Sequence, residues 1–286
     1  MTKPADVPDR VGPHDAQQRT LSPALSRRHR LEPIYGTAIT VGRALFGLLR
    51  VAPDAHGTQH LPAHGGAVLA ITHFGYLDFA LVEWLMWHEN RRHIRFLAKK
   101  GAFRQPLIGA LMRGMGHISV DMTAGAQAYG DAVAALRAGE ILGVFPEGGV
   151  NASFTVRTLK TGAVRMAAKA GVPVIPVAVW GGHRLLTKNH KPTIRDAYHR
   201  PVRFVIGAPV PIAADGDTAA VTARLHDSLQ TLVDQAQAEY PDVGSGQWWQ
   251  PAHLGGSAPT PEQAAATEAE RTRRRAAAAA AANDAE

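Results

Sequence analysis

From residue 67 onward, the apolar positions of this chain alternate between short clusters and longer stretches with helical spacing. The clusters at 67–72, 94–98, 117–120, 141–145, 174–180 and 202–206 predict strands, several of them rich in β-branched residues. The stretches at 79–87, 106–115, 126–138, 161–170 and 219–239 predict helices, with Gly171 as the stop signal of the fourth. Strands alternating with helices predict an α/β fold, a mixed, mostly parallel sheet flanked by helices. No period of 20–50 residues recurs, which excludes repeat architectures.

Ahead of this alternation lies the first apolar stretch, 34–51, interrupted by Arg43 and Arg50. A membrane-crossing helix needs about 20 largely uncharged residues, so this stretch predicts no span. On a helix Ile34, Ala38, Val41, Leu45 and Leu48 or Leu49 share one face, with Arg27, Arg28 and Arg30 just upstream. That pattern fits an N-terminal amphipathic membrane-associating helix in an anionic headgroup region, and equally a helix packed on its own domain. Residues 1–32 are polar, lack the apolar core of a secretory signal and are expected to be disordered. The folded domain is expected over 33–250 and a low-complexity, disordered tail over 251–286. That tail holds Gly255-Gly256, Pro259, Pro261, an arginine block and the alanines of 276–282. Alanine favours helix, but without an apolar face the tail has nothing obvious to dock with.

Lysine and arginine outnumber aspartate and glutamate by 31 − 24 = 7, which suits an anionic partner such as acidic lipid or a phosphorylated substrate. Cysteine is absent, which excludes disulfides, thiolate nucleophiles and cysteine-ligated zinc.

Two motifs carry candidate chemistry. His73-Phe74-Gly75-Tyr76-Leu77-Asp78 follows a predicted strand. Five positions apart on one helix, His73 and Asp78 would face different ways. They meet only if the chain turns at Gly75 and Asp78 opens the next helix. Asp78 would then fix one imidazole tautomer and leave the other ring nitrogen free as a base. Phe145-Pro146-Glu147-Gly148-Gly149 follows another predicted strand, at the sheet edge where open α/β folds bind ligands. Its glycines let backbone approach a substrate, and Glu147 can bond hydroxyls or clamp a basic side chain.

With these blocks the chain resembles the glycerolipid acyltransferase family, over roughly residues 61–208. The first block is the HX4D of His73 and Asp78. The second is matched by Lys99, Phe103, Pro106, Gly109 and the run 116–121. Glu147, Gly148 and Gly149 lie in the third, with Lys160 and Gly162 after it, and 172–177 form the fourth. Met122 and Val150 stand where the family has arginines that grip the acceptor phosphate, a role left to Lys99, Lys160, Arg157 or Arg165, or to a different acceptor.

The resemblance implies transfer of an acyl chain from acyl-CoA or acyl-carrier protein, as co-substrate, to a lysophospholipid hydroxyl, foremost 1-acylglycerol-3-phosphate. His73 and Asp78 would be catalytic, and Lys99, Phe103, Glu147, Gly148, Gly149 and Lys160 substrate-binding. No metal or bound cofactor and no nucleic acid partner is implied. The place of action would be the cytoplasmic face of the cell membrane, as a peripheral protein on its anionic surface. Another lysophospholipid or a glycolipid acceptor, or a non-catalytic lipid-binding module, is the alternative.

Competing chemistry is poorly supported. No Gly-x-Ser-x-Gly elbow occurs for a serine hydrolase. His88 and His93 are five apart, unfit for a helical zinc pair, and are expected on the surface at a helix end. Trp248-Trp249 could anchor at a membrane interface, and Arg91-Arg92 and Lys99-Lys100 could face lipid.

Overall fold

The computed structural model describes residues 33–120, 125–191, 193–212, 216–242 and 244–283. The expected disordered segment 1–32 lies outside the described residues, as do Asp121 and Met122. In chain order the elements are α1 (Pro33–Leu48), β1 (Ala52–His56), β2 (Ala67–Ile71), α2 (Asp78–Asn90), β3 (Ile94–Lys99), α3 (Lys100–Arg104), α4 (Pro106–Gly114) and β4 (Ile118–Val120). Then follow α5 (Gly125–Arg137), β5 (Ile141–Val144), α6 (Gly162–Ala170), β6 (Val174–Trp180), α7 (Ile194–Ala197), β7 (Pro201–Ile206), α8 (Thr218–Ala238) and α9 (Pro261–Asn283).

Among the described residues seven strands form one sheet, in the order β1-β7-β6-β2-β5-β3-β4. The block β6-β2-β5-β3-β4 is parallel, while β7 runs antiparallel to β6 and carries β1 parallel at the edge. Every residue of β2 and β6 is buried, as expected for strands covered on both faces. One apolar cluster joins β2 and β6 to α5, α6 and α8, and a second joins the other sheet face to α2 and Phe46 of α1. Gly171 ends α6 in the left-handed conformation, φ 72°, that glycine adopts without strain. The mixed, mostly parallel sheet with flanking helices is the expected fold.

Three expectations need correction. The edge strand β1, Ala-Pro-Asp-Ala-His, has no apolar run and was not expected. Pairing with β7 holds it, and Arg203 Nε donates to Asp54 Oδ2 at 2.8 Å across that pair. The folded domain does not stop at 250, since Pro251 and Ala258 are buried. The tail beyond it is the 23-residue helix α9 rather than disorder. Thr260 and Gln263 cap this helix reciprocally, Gln263 Oε1 accepting from the Thr260 amide at 3.0 Å and Thr260 Oγ1 from the Gln263 amide at 3.3 Å. It docks through polar contacts, Lys188 pairing with Glu268 and Arg271 donating to Asn189 Oδ1 at 2.5 Å.

Helix α1 carries two faces. Tyr35, Ile39 and Phe46 are buried against the domain, whereas Ile34, Val41, Leu45 and Leu48 from the expected apolar stripe are exposed. No helix among the described residues is long and apolar enough to cross a membrane.

Candidate active site

The parallel block sends the ends of β6, β2, β5 and β3 to one sheet edge, and the two motifs meet there. His73 leaves β2 after Thr72, whose Oγ1 accepts the Val179 amide at 3.0 Å. The chain turns at Gly75, and Asp78 opens α2. His73 Nδ1 lies 3.2 Å from Asp78 Oδ2, and the same oxygen accepts the Gly75 amide at 2.8 Å. The expected dyad is therefore assembled. With Nδ1 donating to Asp78, Nε2 is left able to accept a proton, and the His73 side chain is 15% exposed against 1% for Asp78. Burial raises the pKa of Asp78, while hydrogen bonds from His73 and Gly75 oppose that shift.

Gly75 is needed for close approach rather than for a left-handed backbone. A Cβ there would lie 2.9 Å from the Cα and amide nitrogen of His183. Gly182 is constrained in the same place, since its Cβ would sit 2.9 Å from Asp78 Oδ1. The turn 181–184 after β6 thus forms the wall behind Asp78. Sequence reasoning missed this wall, and the only hint was a Gly-Gly pair following a buried strand. His183 is 1% exposed and bonds the Trp249 carbonyl through Nε2 at 3.0 Å. Burial lowers its pKa to about 3.

Glu147 requires a correction. Expected to touch substrate, it has a fully buried side chain, with Oε1 accepting the His73 amide at 3.1 Å and Oε2 accepting Asn151 Nδ2 at 2.9 Å. Arg157 Nε stands 3.7 Å from Oε2, the basic clamp that was one of its expected uses. Burial raises the pKa of Glu147, against the hydrogen bond from Asn151. The Asn151 amide also donates to the His73 carbonyl at 2.8 Å. Both backbone polar groups of His73 are therefore tied to the loop after β5, so Glu147 and Asn151 position the histidine. The His73 ring stacks on Phe145, with centroids 4.0 Å apart.

The other expected substrate contacts occupy the same edge. Gly148 takes a left-handed φ of 78°, and Lys160 crosses it, since a Cβ on Gly148 would lie 2.9 Å from Lys160 Cε. Gly149 gives its carbonyl to Arg157 Nη2 at 2.6 Å. Lys99 is exposed at the end of β3, two strands from His73. Phe103 on α3 is half-buried, and its carbonyl oxygen would lie 2.1 Å from a Cβ on Gly109, which explains that glycine. Of the other basic candidates, Arg157 touches the site, whereas Arg165 lies over the Tyr129 ring at 5.6 Å. Among the described residues no three His, Asp or Glu side chains gather as a metal ion requires.

Several residues expected at the surface are buried instead. His93 is 1% exposed and bonds Glu83. Arg92 donates to the carbonyls of Pro62, Gly65 and Gly139 rather than facing lipid. Trp249 is buried under the Arg184 guanidinium at 4.1 Å, and Trp248 stacks on His190 at 3.6 Å, so this pair fills the core behind the site.

Residues 52–180 match the protein family described as Acyltransferase. Over 135 residues the chain is 32% identical to a 1-acyl-sn-glycerol-3-phosphate acyltransferase of Bacillus subtilis, covering 46% of this chain and 65% of that protein. It is 26% identical over 136 residues to a protein of the same name from Borreliella burgdorferi, covering 46% and 53%. The chain thus spans less than two thirds of the length of these two relatives. The crystal structure of PlsC, a 1-acyl-sn-glycerophosphate acyltransferase from Thermotoga maritima, shares the fold with a TM-score of 0.61 at 19% identity, over 77% of this chain and 89% of that one.

Proposed function

We propose that this chain, whose residues 52–180 match the family described as Acyltransferase, is a glycerolipid-type O-acyltransferase of phospholipid synthesis. It moves an acyl chain from acyl-CoA or acyl-carrier protein to a lysophospholipid hydroxyl, foremost that of 1-acylglycerol-3-phosphate, giving phosphatidic acid. The observation that carries this reading is the His73–Asp78 pair, whose outer nitrogen opens at the sheet edge. His73 Nε2 takes the acceptor's hydroxyl proton as that oxygen attacks the thioester carbonyl. Asp78 stabilises the resulting imidazolium. As the tetrahedral intermediate collapses, the C–S bond breaks and the departing thiolate takes the proton from the imidazolium. No acyl-enzyme forms. Lys160 and the Gly148–Gly149 turn line the substrate side, while Glu147 holds His73 from beneath.

The same reading places the protein peripherally on the anionic cytoplasmic face of the membrane. Ile34, Val41, Leu45 and Leu48 of α1 and Leu107, Ile108 and Leu111 of α4 are exposed, and the two helices meet where Ile34 packs beside Gly114. Arg43, Arg104 and Arg113 are exposed on these helices and α3, each worth about 1 kcal/mol near anionic lipid. Replacing Leu48 and Leu107 together by Asp should move the protein from the pellet to the supernatant in sedimentation with phosphatidylglycerol vesicles. Unchanged sedimentation contradicts this placement. The reaction is tested by mass spectrometry of phosphatidic acid made from long-chain acyl-CoA and lysophosphatidic acid, wild type beside His73→Ala. Product from the wild type alone supports the proposal, and equal product from both overturns it.

A further inference from the structure

The loop after Glu147 runs beneath the C-terminal helix α9, and a cavity of about 150 Å³ lies between them. Asn151, Ser153, Thr155 and Arg157 line it from the loop, Lys188 and Glu268 from the other side. Lys188, with 18% of its side chain exposed, donates to Glu268 Oε2. That hydrogen bond, with the charges of Lys188, Arg157 and Arg271, holds the Glu268 carboxyl below its ordinary value. Arg157 reaches back into the site, beside Glu147 and on the Gly149 carbonyl, and its buried Nε has no hydrogen-bond partner among the described residues. A carboxylate therefore sits in a cationic, hydroxyl-lined cavity whose wall includes Asn151, one of the residues that hold His73.

We propose that Arg157 and Lys188 form a subsite for a phosphate monoester headgroup, and that Glu268 of α9 fills it as an internal anion the acceptor must displace. The inference rests on the reading that the acceptor carries a phosphate. It makes the C-terminal helix a competitor for substrate. A charge-assisted bond on one side of such an exchange is worth about tenfold in affinity.

Calorimetric titration of the full-length chain with sn-glycerol 3-phosphate, without acyl donor, tests this independently of turnover. Glu268→Gln should bind about tenfold more tightly than wild type, and adding Lys188→Gln to that variant should abolish the gain. Equal affinity in wild type and Glu268→Gln overturns the proposal, as does a gain that survives loss of Lys188. Tighter binding of glycerol 3-phosphate than of inorganic phosphate supports a headgroup subsite, whereas binding of inorganic phosphate alone overturns it. Should the affinities shift while lysophosphatidic acid is not acylated, the subsite stands and the acceptor assignment falls. Acylation with unshifted affinities has the opposite meaning.

Discussion

His73–Asp78 and His93–Glu83 are built from the same parts and differ in one respect. Their Nδ1-to-carboxylate distances are 3.2 and 2.9 Å, and the two carboxylates are 1% and 7% exposed. Burial raises the pKa of both acids. The histidines diverge, 15% exposed for His73 and 1% for His93. His93 lies between the Tyr35 and Trp87 rings, with centroids 4.0 and 4.8 Å away. Glu83 also accepts the Tyr35 hydroxyl at 3.1 Å and the Ile94 amide at 2.8 Å. That pair fastens α1 to α2 and β3. A histidine beside a buried carboxylate can serve as a base only where its second nitrogen is left open to a substrate.

The comparison can be broken at several points. The largest effect falls on the open pair, where Asp78→Asn should lower kcat by roughly 10²–10⁴-fold through loss of the oriented imidazole. Its far-ultraviolet circular dichroism should stay that of the wild type, and a retained kcat would remove Asp78 from the mechanism. At the sealed pair, His93→Ala should lower stability by about 3 kcal/mol, because the buried Glu83 carboxyl loses a hydrogen-bond partner. Chemical denaturation would read this as a lower midpoint, and an unchanged midpoint would contradict the clamp.

A smaller effect belongs to His183, the histidine with neither carboxylate nor opening. Its folded pKa of about 3 lies below the unfolded value of about 6.5, so the unfolded chain binds the extra proton. Stability therefore falls as pH drops below about 6.5, by about 2 kcal/mol at pH 5 from this residue. Unfolding at pH 5 and pH 7 should show that loss in wild type and a reduced loss in His183→Gln. Equal losses would contradict the assignment. On the acid side, kcat/KM should also fall as Asp78, raised by burial, takes up a proton and ceases to orient His73.

Much of this was legible in the sequence where the signal is local. Apolar clusters marked β2, β3, β5, β6 and β7, because strands buried on both faces need little else. His73 and Asp78 were legible because their five-residue spacing demands a turn, and a glycine sits between them. The illegible parts depend on partners far along the chain. Glu147 reads as a substrate contact until the His73 amide, 74 positions away, takes its oxygen. His183 and Trp249 meet across 66 positions, and Lys188 reaches Glu268 across 80. His93 reads as a surface residue because α2 ends just before it, with Arg91 at φ 54°, and only the fold turns it inward under Tyr35. The tail's capping box was local and readable, but its docking was not, because that docking is polar.

The most direct test measures kcat and Tm together in His73→Ala and His93→Ala, with lysophosphatidic acid and acyl-CoA as substrates. The two-pair account predicts a crossed pattern. His73→Ala should keep the wild-type Tm and lose turnover, whereas His93→Ala should melt several degrees lower and still turn over below its Tm. Turnover that survives in His73→Ala would contradict the assignment of His73 as the base.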